Sequence, residues 1–249
     1  MVPLILLPVI SQRPDLADQI NRLCEQAWPR FLLHANTPNW RRAILETFTE
    51  FQILLCESET LVAVGHTVPF VWKNTIDDLP YSLGEVLTRA LESHHQQQTP
   101  TTLSALAVMV AKDRRRQGLS SAVLREMTSI ASDNNLSDLI APVRPTLKSL
   151  YPLTPMERYV RWKRADGMTF DPWMRVHERL GAEQLQIVPQ AMTVEGSVNE
   201  WEDWTDLSFP ESGQYIVAGT LQPVTIDREA DVGHYADPNV WMRHPVSTR

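Results

Sequence analysis

Two cysteines are all that this chain of 249 residues holds, Cys24 and Cys56. That count excludes a disulfide framework and fits a reducing compartment. Positive charge is also in short supply. Lysine and arginine total 23 against 30 acidic residues, a net charge of −7. Extensive nucleic-acid binding needs a basic footprint, so that class of partner is set aside. No apolar run reaches the ~20 residues that a membrane-crossing helix requires. The apolar start, Met1 to Ile10, has no basic leader and carries Pro3 and Pro8. It runs into Ser11-Gln12-Arg13-Pro14-Asp15 without a small-residue cleavage site, so it reads as a first strand and not as an export signal. Glycine is scarce, with nine in the whole chain, which keeps the turn chemistry modest. What is present, 43% hydrophobic and 21% charged residues, is the balance of an ordinary globular protein. A cytoplasmic protein of one large domain or two small ones is the expectation.

Periodicity orders the first half of the chain. Leu16, Ile20, Leu23 and Ala27 give Arg13–Trp28 a helical stripe. The Trp28-Pro29 step ends it, because a residue before proline is pushed out of the helical region. Asn39 is placed to cap a second helix from Trp40 to about Phe51. Phe51–Cys56 and Thr60–Val71 read as paired strands around the turn Glu57-Ser58-Glu59. Ser82–His95 reads as a helix with Leu83, Val86, Leu87 and Leu91 on one face. The adjacent His94 and His95 lie beside a glutamine run with no cysteine near, which points to solvated side chains and not to metal ligands.

The most informative stretch is Leu103–Glu126. An apolar strand stops at Ala111, a basic turn with one glycine follows, and an amphipathic helix starts at Leu119. Leu119, Val123, Met127 and Ile130 form its buried stripe. Such a turn aims free backbone N–H groups at one point, and the helix dipole adds partial positive charge there. Together they make a site for a phosphate or diphosphate. Taken alone, the same residues also describe a solvated basic turn.

Within this stretch, Arg115-Arg116-Gln117-Gly118-Leu119-Ser120 resembles the pyrophosphate loop of the GNAT acetyltransferase superfamily, Gln/Arg-x-x-Gly-x-Gly/Ala. Arg115 takes the first position and Gly118 the glycine. Ser120 departs from the usual last residue but is small. The resemblance implies an α+β fold of three layers, α/β/α: a central mixed, mostly antiparallel sheet with flanking helices and a C-terminal extension. It implies acetyl-CoA or another acyl-CoA as co-substrate, with no metal. The amides of Gln117, Gly118, Leu119, Ser120 and Ser121 would bind the diphosphate, and Arg114, Arg115 and Arg116 would offset its charge. The strand before the loop, with Val108, Met109 and Val110, would splay from its neighbour and leave main-chain groups of Val108 and Val110 for the pantetheine amides.

After a strand at Leu136–Val143, residues 144–170 are too long for a plain connection. Tyr151, Tyr159 and Trp162 lie there among Arg158, Arg161, Lys163 and Arg164. The segment reads equally as a cover over the acyl end, a dock for an acidic partner, or a surface helix with its aromatics packed inward. Asp171 then suits an N-cap, Pro172 a first helical position and Gly181 a C′ position. Ala182–Pro189 follows as a strand. The superfamily core ends near residue 190, which gives an acyl-CoA-binding unit over 1–190 with inserts at 75–102 and 144–170. An extension over 191–249 would pack on the same unit, with strand-like pieces at Tyr215–Val217 and Leu221–Ile226 and with Trp201, Trp204 and Trp241 helping to bury it.

The superfamily often carries Tyr-x-x-x-Gly-Phe where this chain has His177-Glu178-Arg179-Leu180-Gly181-Ala182. His177 thus takes the position of the tyrosine that protonates the departing thiolate. Histidine can work as acid or base near neutral pH or hydrogen-bond a thioester oxygen. It also shares a helical face with Trp173, Val176 and Leu180, as a core histidine would. No acid stands on Ser104–Val110 to act as the usual base, and Glu157 and Asp171 have no evident place. Thr146, just past a strand end, is a second candidate. The expected reaction is direct transfer of an acetyl group to a small-molecule or protein amine. Two alternatives remain: S-acyl transfer or malonyl-CoA decarboxylation on a carrier-protein thiol, as in GNAT-like loading domains of polyketide synthases, and a non-catalytic CoA-binding module.

Overall fold

A computed structural model describes Leu4–Leu7 and residues 16–246. The first strand, β1 (Leu4–Leu7), lies inside the expected one, while residues 13–15 of the first expected helix fall outside the described residues. Helix α1 (Ala17–Ala27) buries Ile20 and Leu23 and stops at Trp28, whose ψ of 143° is extended as the following proline demands. The next segment corrects the expectation of a capped α-helix. Asn39 sits at φ 64° and its side chain makes no cap. Residues Arg42–Thr47 wind as a π-helix, with the Phe48 amide reaching back to the Ala43 carbonyl, and a 3-10 turn covers Thr49–Phe51.

Strands β2 (Ile53–Glu57) and β3 (Thr60–Phe70) form the expected hairpin. Helix α2 (Leu83–His95) starts at Ser82, whose hydroxyl accepts the Glu85 amide. Strand β4 (Thr102–Val110), helix α3 (Leu119–Asp133) and strand β5 (Asp138–Val143) form a parallel crossover unit. Helices α4 (Met156–Tyr159) and α5 (Pro172–Arg179) follow, the second with Asp171 accepting the amides of Trp173 and Met174 and with Gly181 at φ 87° beyond its end.

After that turn β6 (Glu183–Gly196) is longer than expected. Helix α6 (Val198–Thr205) carries a Ser197/Glu200 capping box, β7 (Gly213–Tyr215) is short, and β8 (Val224–Asp227) is shorter than expected. β9 (Val232–Pro245) was not expected at all. It pairs along one edge with β5 and β8 and along the other with β6. The sheet runs β1-β2-β3-β4-β5-β9-β8-β7, and among the described pairs only β4–β5 is parallel. Turns or short loops join only β2 to β3, β7 to β8 and β8 to β9; the other neighbours are brought together by longer connections.

Two hydrophobic clusters cover opposite faces. One gathers Leu16, just ahead of α1, and the α1 residues Ile20 and Leu23 on Leu54, Cys56, Val64 and Met109. The other is larger, and α3 contributes Leu119, Val123, Leu124, Met127 and Ala131 to it. Trp201 and Trp241 are both fully buried. Trp201 donates its Nε1–H to the Gly233 carbonyl, and a Cβ at Gly233 would stand 2.2 Å from the indole, so only glycine lets α6 approach β9 this closely. Among the described residues no helix is long and apolar enough to cross a membrane.

Beyond Arg144 and Thr146, the insert at 144–170 does not line the cleft described below. Tyr151, Tyr159, Trp162 and Phe170 pack on one another, with Tyr151 and Trp162 edge to face at 4.9 Å. The Tyr159 hydroxyl donates to Asp171 Oδ2 at 2.9 Å. Burial of these rings draws the segment onto the core, as the packed reading of it requires.

Candidate functional site

Strands β4 and β5 pair only over Thr102–Ser104 and Asp138–Ile140. Past Ser104 they part. The register with β3 decides what the gap exposes. The Ala111 amide bonds the Val62 carbonyl. Bonded and non-bonded pairs alternate along an antiparallel ladder, so Val64–Met109 is bonded, while Ala63–Val110 and Gly65–Val108 are not. The amides and carbonyls of Val108 and Val110 therefore point away from β3, into the space that β5 has vacated. The Met109 main chain points to β3, so it offers the gap only its side chain.

At the end of β4 the chain passes a 3-10 turn, Lys112–Arg114, and reaches Gly118 at φ 81° as the residue before α3. An L side chain pays roughly 1–2 kcal/mol in that conformation. A Cβ built there meets nothing within 4 Å, so the space in front of the turn is open. No side chain caps the helix, and its first amides have no intrahelical acceptor. Open space, free amides and the dipole coincide at Leu119–Ser121.

The arginines divide their work. Arg114 pairs with Glu57 at 3.0 Å and also lines the cleft described next. Arg115 reaches the Val110 and Gln26 carbonyls through long bonds of 3.5 and 3.4 Å. Arg116, at φ 66°, has no bonded partner among the described residues.

Loop and gap open into one cleft of about 820 Å³. Val108, Met109, Val110, Arg115, Arg116, Gly118, Leu119, Ser120, Ser121, Thr146 and His177 all line it. Gln117 does not; its side chain turns back toward the Asp113 carbonyl. Trp28, Leu32, Trp40, Leu83 and Met192 give the far wall an apolar surface. No aspartate or glutamate among the described residues lines the cleft. Asp171 is occupied elsewhere, with four bonds to the Trp173, Met174 and Leu147 amides and the Tyr159 hydroxyl. Glu157 lines a separate cavity. Among the described residues no group of His, Cys, Asp and Glu converges on a metal position.

His177 is 1% exposed and half-satisfied. Its Nδ1 stands 2.9 Å from Nε2 of His244, a residue of β9. Its Nε2 is buried with no partner. Trp173 lies edge to face on the ring at 4.5 Å. Burial, then His244, pushes the imidazole down to about 3, and burial takes His244 to about 4, so both are neutral near pH 7. A second orphan on the cleft wall is Asn239 Oδ1; its amide nitrogen donates to the Pro142 carbonyl at 3.3 Å. His244 and Asn239 carry no local signal in the sequence. Pairing of β9 with β5 and β6 is what brings them here.

The donor set fits an acyl-CoA by this geometry: amides and arginines for the diphosphate, strand-edge groups for pantetheine amides, and an apolar wall beyond. No family model matches the chain. An arginine N-acetyltransferase of Aspergillus versicolor, avaD, is 31% identical over 275 aligned positions, which cover 96% of this chain and 93% of the relative. The chain belongs to the GNAT acetyltransferase superfamily. Membership places it among acyl-CoA-dependent N-acetyltransferases. Two solved GNAT structures resemble it in fold. The loading GNATL domain of CurA from Lyngbya majuscula has a TM-score of 0.65 at 18% identity over 98% of both chains. The GphF GNAT-like decarboxylase in complex with isobutyryl-CoA has a TM-score of 0.59 at 14% identity, over 98% of this chain and 100% of the other.

Proposed function

We propose that this protein moves an acetyl group from acetyl-CoA to an amine held in the same cleft, by direct attack and without a covalent enzyme. The observation that carries this reading is the parting of β4 from β5, which aims the main chain of Val108 and Val110 into a gap just ahead of the open Gly118 turn. The loop amides from Gly118 to Ser121 bind the diphosphate, with Arg115 and Arg116 as counter-charges. Val108 and Val110 pair with the pantetheine amides and fix the thioester in the cleft. Holding both reactants in one place converts a bimolecular encounter into a local step.

His177 is the proton-handling residue, since the cleft wall offers no carboxylate among the described residues. Thr146 donates its hydroxyl to the acyl carbonyl. An amine with the chemistry of arginine heads the acceptors, because the 31% identical relative is an arginine N-acetyltransferase. Residues 1–190 and 191–249 act as one folding unit on this reading, supported by the place of β9 in the same sheet as β5. Cysteine usage favours the cytoplasm.

A second reading, decarboxylation or transfer to a carrier-protein thiol, draws support from His177 and Thr146 both lining the cleft. Mass spectrometry distinguishes the two after incubation with acetyl-CoA or malonyl-CoA, free arginine, other amines and an acyl carrier protein. N-acetylated amine supports the first reading. Loss of CO₂ from malonyl-CoA, or acylated carrier with every amine untouched, overturns it. Calorimetry with CoA tests the shared premise, and absence of binding removes both.

A further inference from the structure

We infer that Asn239 selects the acceptor: its Oδ1 accepts an N–H of the attacking nitrogen, so that the cleft takes an amine in preference to a thiol. The inference rests on the function proposed above and deepens it by naming a residue that holds the acceptor.

One bond fixes the orientation of the Asn239 amide. Its Nδ2 stands 3.3 Å from the Pro142 carbonyl. A carbonyl oxygen only accepts, so the atom that faces it is the NH₂ group. The other end of the amide is then a carbonyl oxygen, which accepts and cannot donate. That Oδ1 is buried with no partner, in a residue 2% exposed that lines the cleft. A buried acceptor left unpaired is costly, and a ligand N–H removes the cost.

Strand register sets this oxygen beside the gap. β4 leaves β5 after Ser104 and Ile140, and the next three residues of β5, Ala141, Pro142 and Val143, line the cleft. Asn239 is tied to the middle one. Alternation along β9 fixes its face. Asn239 and Trp241 are two positions apart and share one side of the sheet. Trp241 donates its Nε1–H to the Pro80 carbonyl, just ahead of α2. His244 has the opposite parity, and it meets His177 of α5 at 2.9 Å. The two orphan atoms of the cleft thus belong to opposite sides of the sheet. The acceptor sits on the α2 side, where Leu83 opens the helix and lines the cleft. No acid competes for it there. Asp237, also on β9, is spent on Arg144 and Tyr235.

Nitrogen and sulfur differ at such an oxygen. A neutral primary amine attacks the acyl carbon with both of its hydrogens still in place. As the C–N bond forms the nitrogen gains positive charge, and a hydrogen bond from a charged donor is roughly twice as strong as one from a neutral donor. The bond to Oδ1 therefore strengthens on the way to the transition state. A thiol reacts as its thiolate, which has no hydrogen to give. It sets a negative sulfur against the Asn239 oxygen and leaves that oxygen unpaired. A polar group deprived of its partner discriminates more sharply than a difference in apolar fit.

The test uses the full chain with acetyl-CoA and two acceptors, free arginine and the thiol N-acetylcysteamine, with both products read by mass spectrometry. The parent protein is expected to favour arginine. Asn239→Leu is expected to lower kcat/KM for arginine by about 10- to 100-fold and to narrow the amine-to-thiol ratio by the same factor, with KM for acetyl-CoA unchanged. A role in folding alone lowers both acceptors together and leaves the ratio in place. Asn239→Asp keeps an oxygen acceptor while giving up the bond to Pro142, and it is expected to retain the ratio. A parent with no preference for arginine overturns the proposal, and so does an unchanged ratio in folded Asn239→Leu protein. If the leucine variant does not fold, the aspartate variant decides: a retained ratio sustains the proposal and a lost one refutes it. A parent that acetylates no amine ends the proposed function. The Asn239 side-chain amide in ¹H–¹⁵N spectra, identified by its loss in the aspartate variant, then decides the proposal separately. With CoA bound, a shift of that signal on adding arginine sustains it, and no shift overturns it.

Discussion

Arg144 and Asp237 meet across 93 positions of sequence, with the Arg144 Nε 3.0 Å from both carboxylate oxygens. The carboxylate is wholly buried. Arg144 also donates to the Gly219 carbonyl, and Tyr235 donates its hydroxyl to Asp237 Oδ1 at 2.6 Å. The pair ties the chain just past β5 to β9 and to the loop before β8, behind a wall of the cleft. Asp237→Ala strands a buried guanidinium, and the expected loss is about 3–5 kcal/mol in urea unfolding.

Gly118 should tolerate substitution poorly for two separable reasons. Gly118→Val places a β-branched residue at φ 81° and fills the open face of the turn. The expected stability loss is about 1–2 kcal/mol. Affinity for acetyl-CoA should fall further than that loss explains, by calorimetry on the folded variant.

His177→Gln keeps a polar side chain of similar length but cannot hold a proton. A drop of about 10²–10⁴ in kcat is expected, with acetyl-CoA binding retained. Parallel measurement of kcat and of the CoA dissociation constant checks the split.

Stability should fall in acid through three buried histidines. Burial lowers His66 to about 4, His177 to about 3 and His244 to about 4, from an ordinary value of 6.5. The unfolded chain therefore binds these protons first as pH drops. Their contribution is fully present above about 6.5 and is lost progressively toward pH 4, by at most about 1.4 kcal/mol per pH unit for each group. Urea midpoints at pH 7.5 and pH 5 should differ in that direction, and a midpoint that rises on acidification would contradict the assignment.

The diphosphate turn was legible because everything it needs is contiguous: strand, glycine and helix start lie within Val108–Ser121. The same locality exposed α5, where Asp171, Pro172 and Gly181 announce its ends. β9 was hidden. Gly233, Asp237 and Pro238 interrupt any alternation, and its pairing partners β5 and β6 supply the order that its own residues do not encode. With β9 hidden, His244 and Asn239 had no route into the site, and His177 looked either catalytic or satisfied when it is satisfied at one nitrogen only. Asn39 failed as a cap because the following segment takes the wider π-helical turn.

The strand that closes the middle of the sheet is made after all three of the strands it pairs with. Until Val232–Pro245 has left the ribosome, β5, β6 and β8 each present a bare edge with no neighbour. The candidate pocket therefore assembles only after Val232–Pro245 has been made, and a nascent chain that stalls earlier displays sticky β-edges to its surroundings.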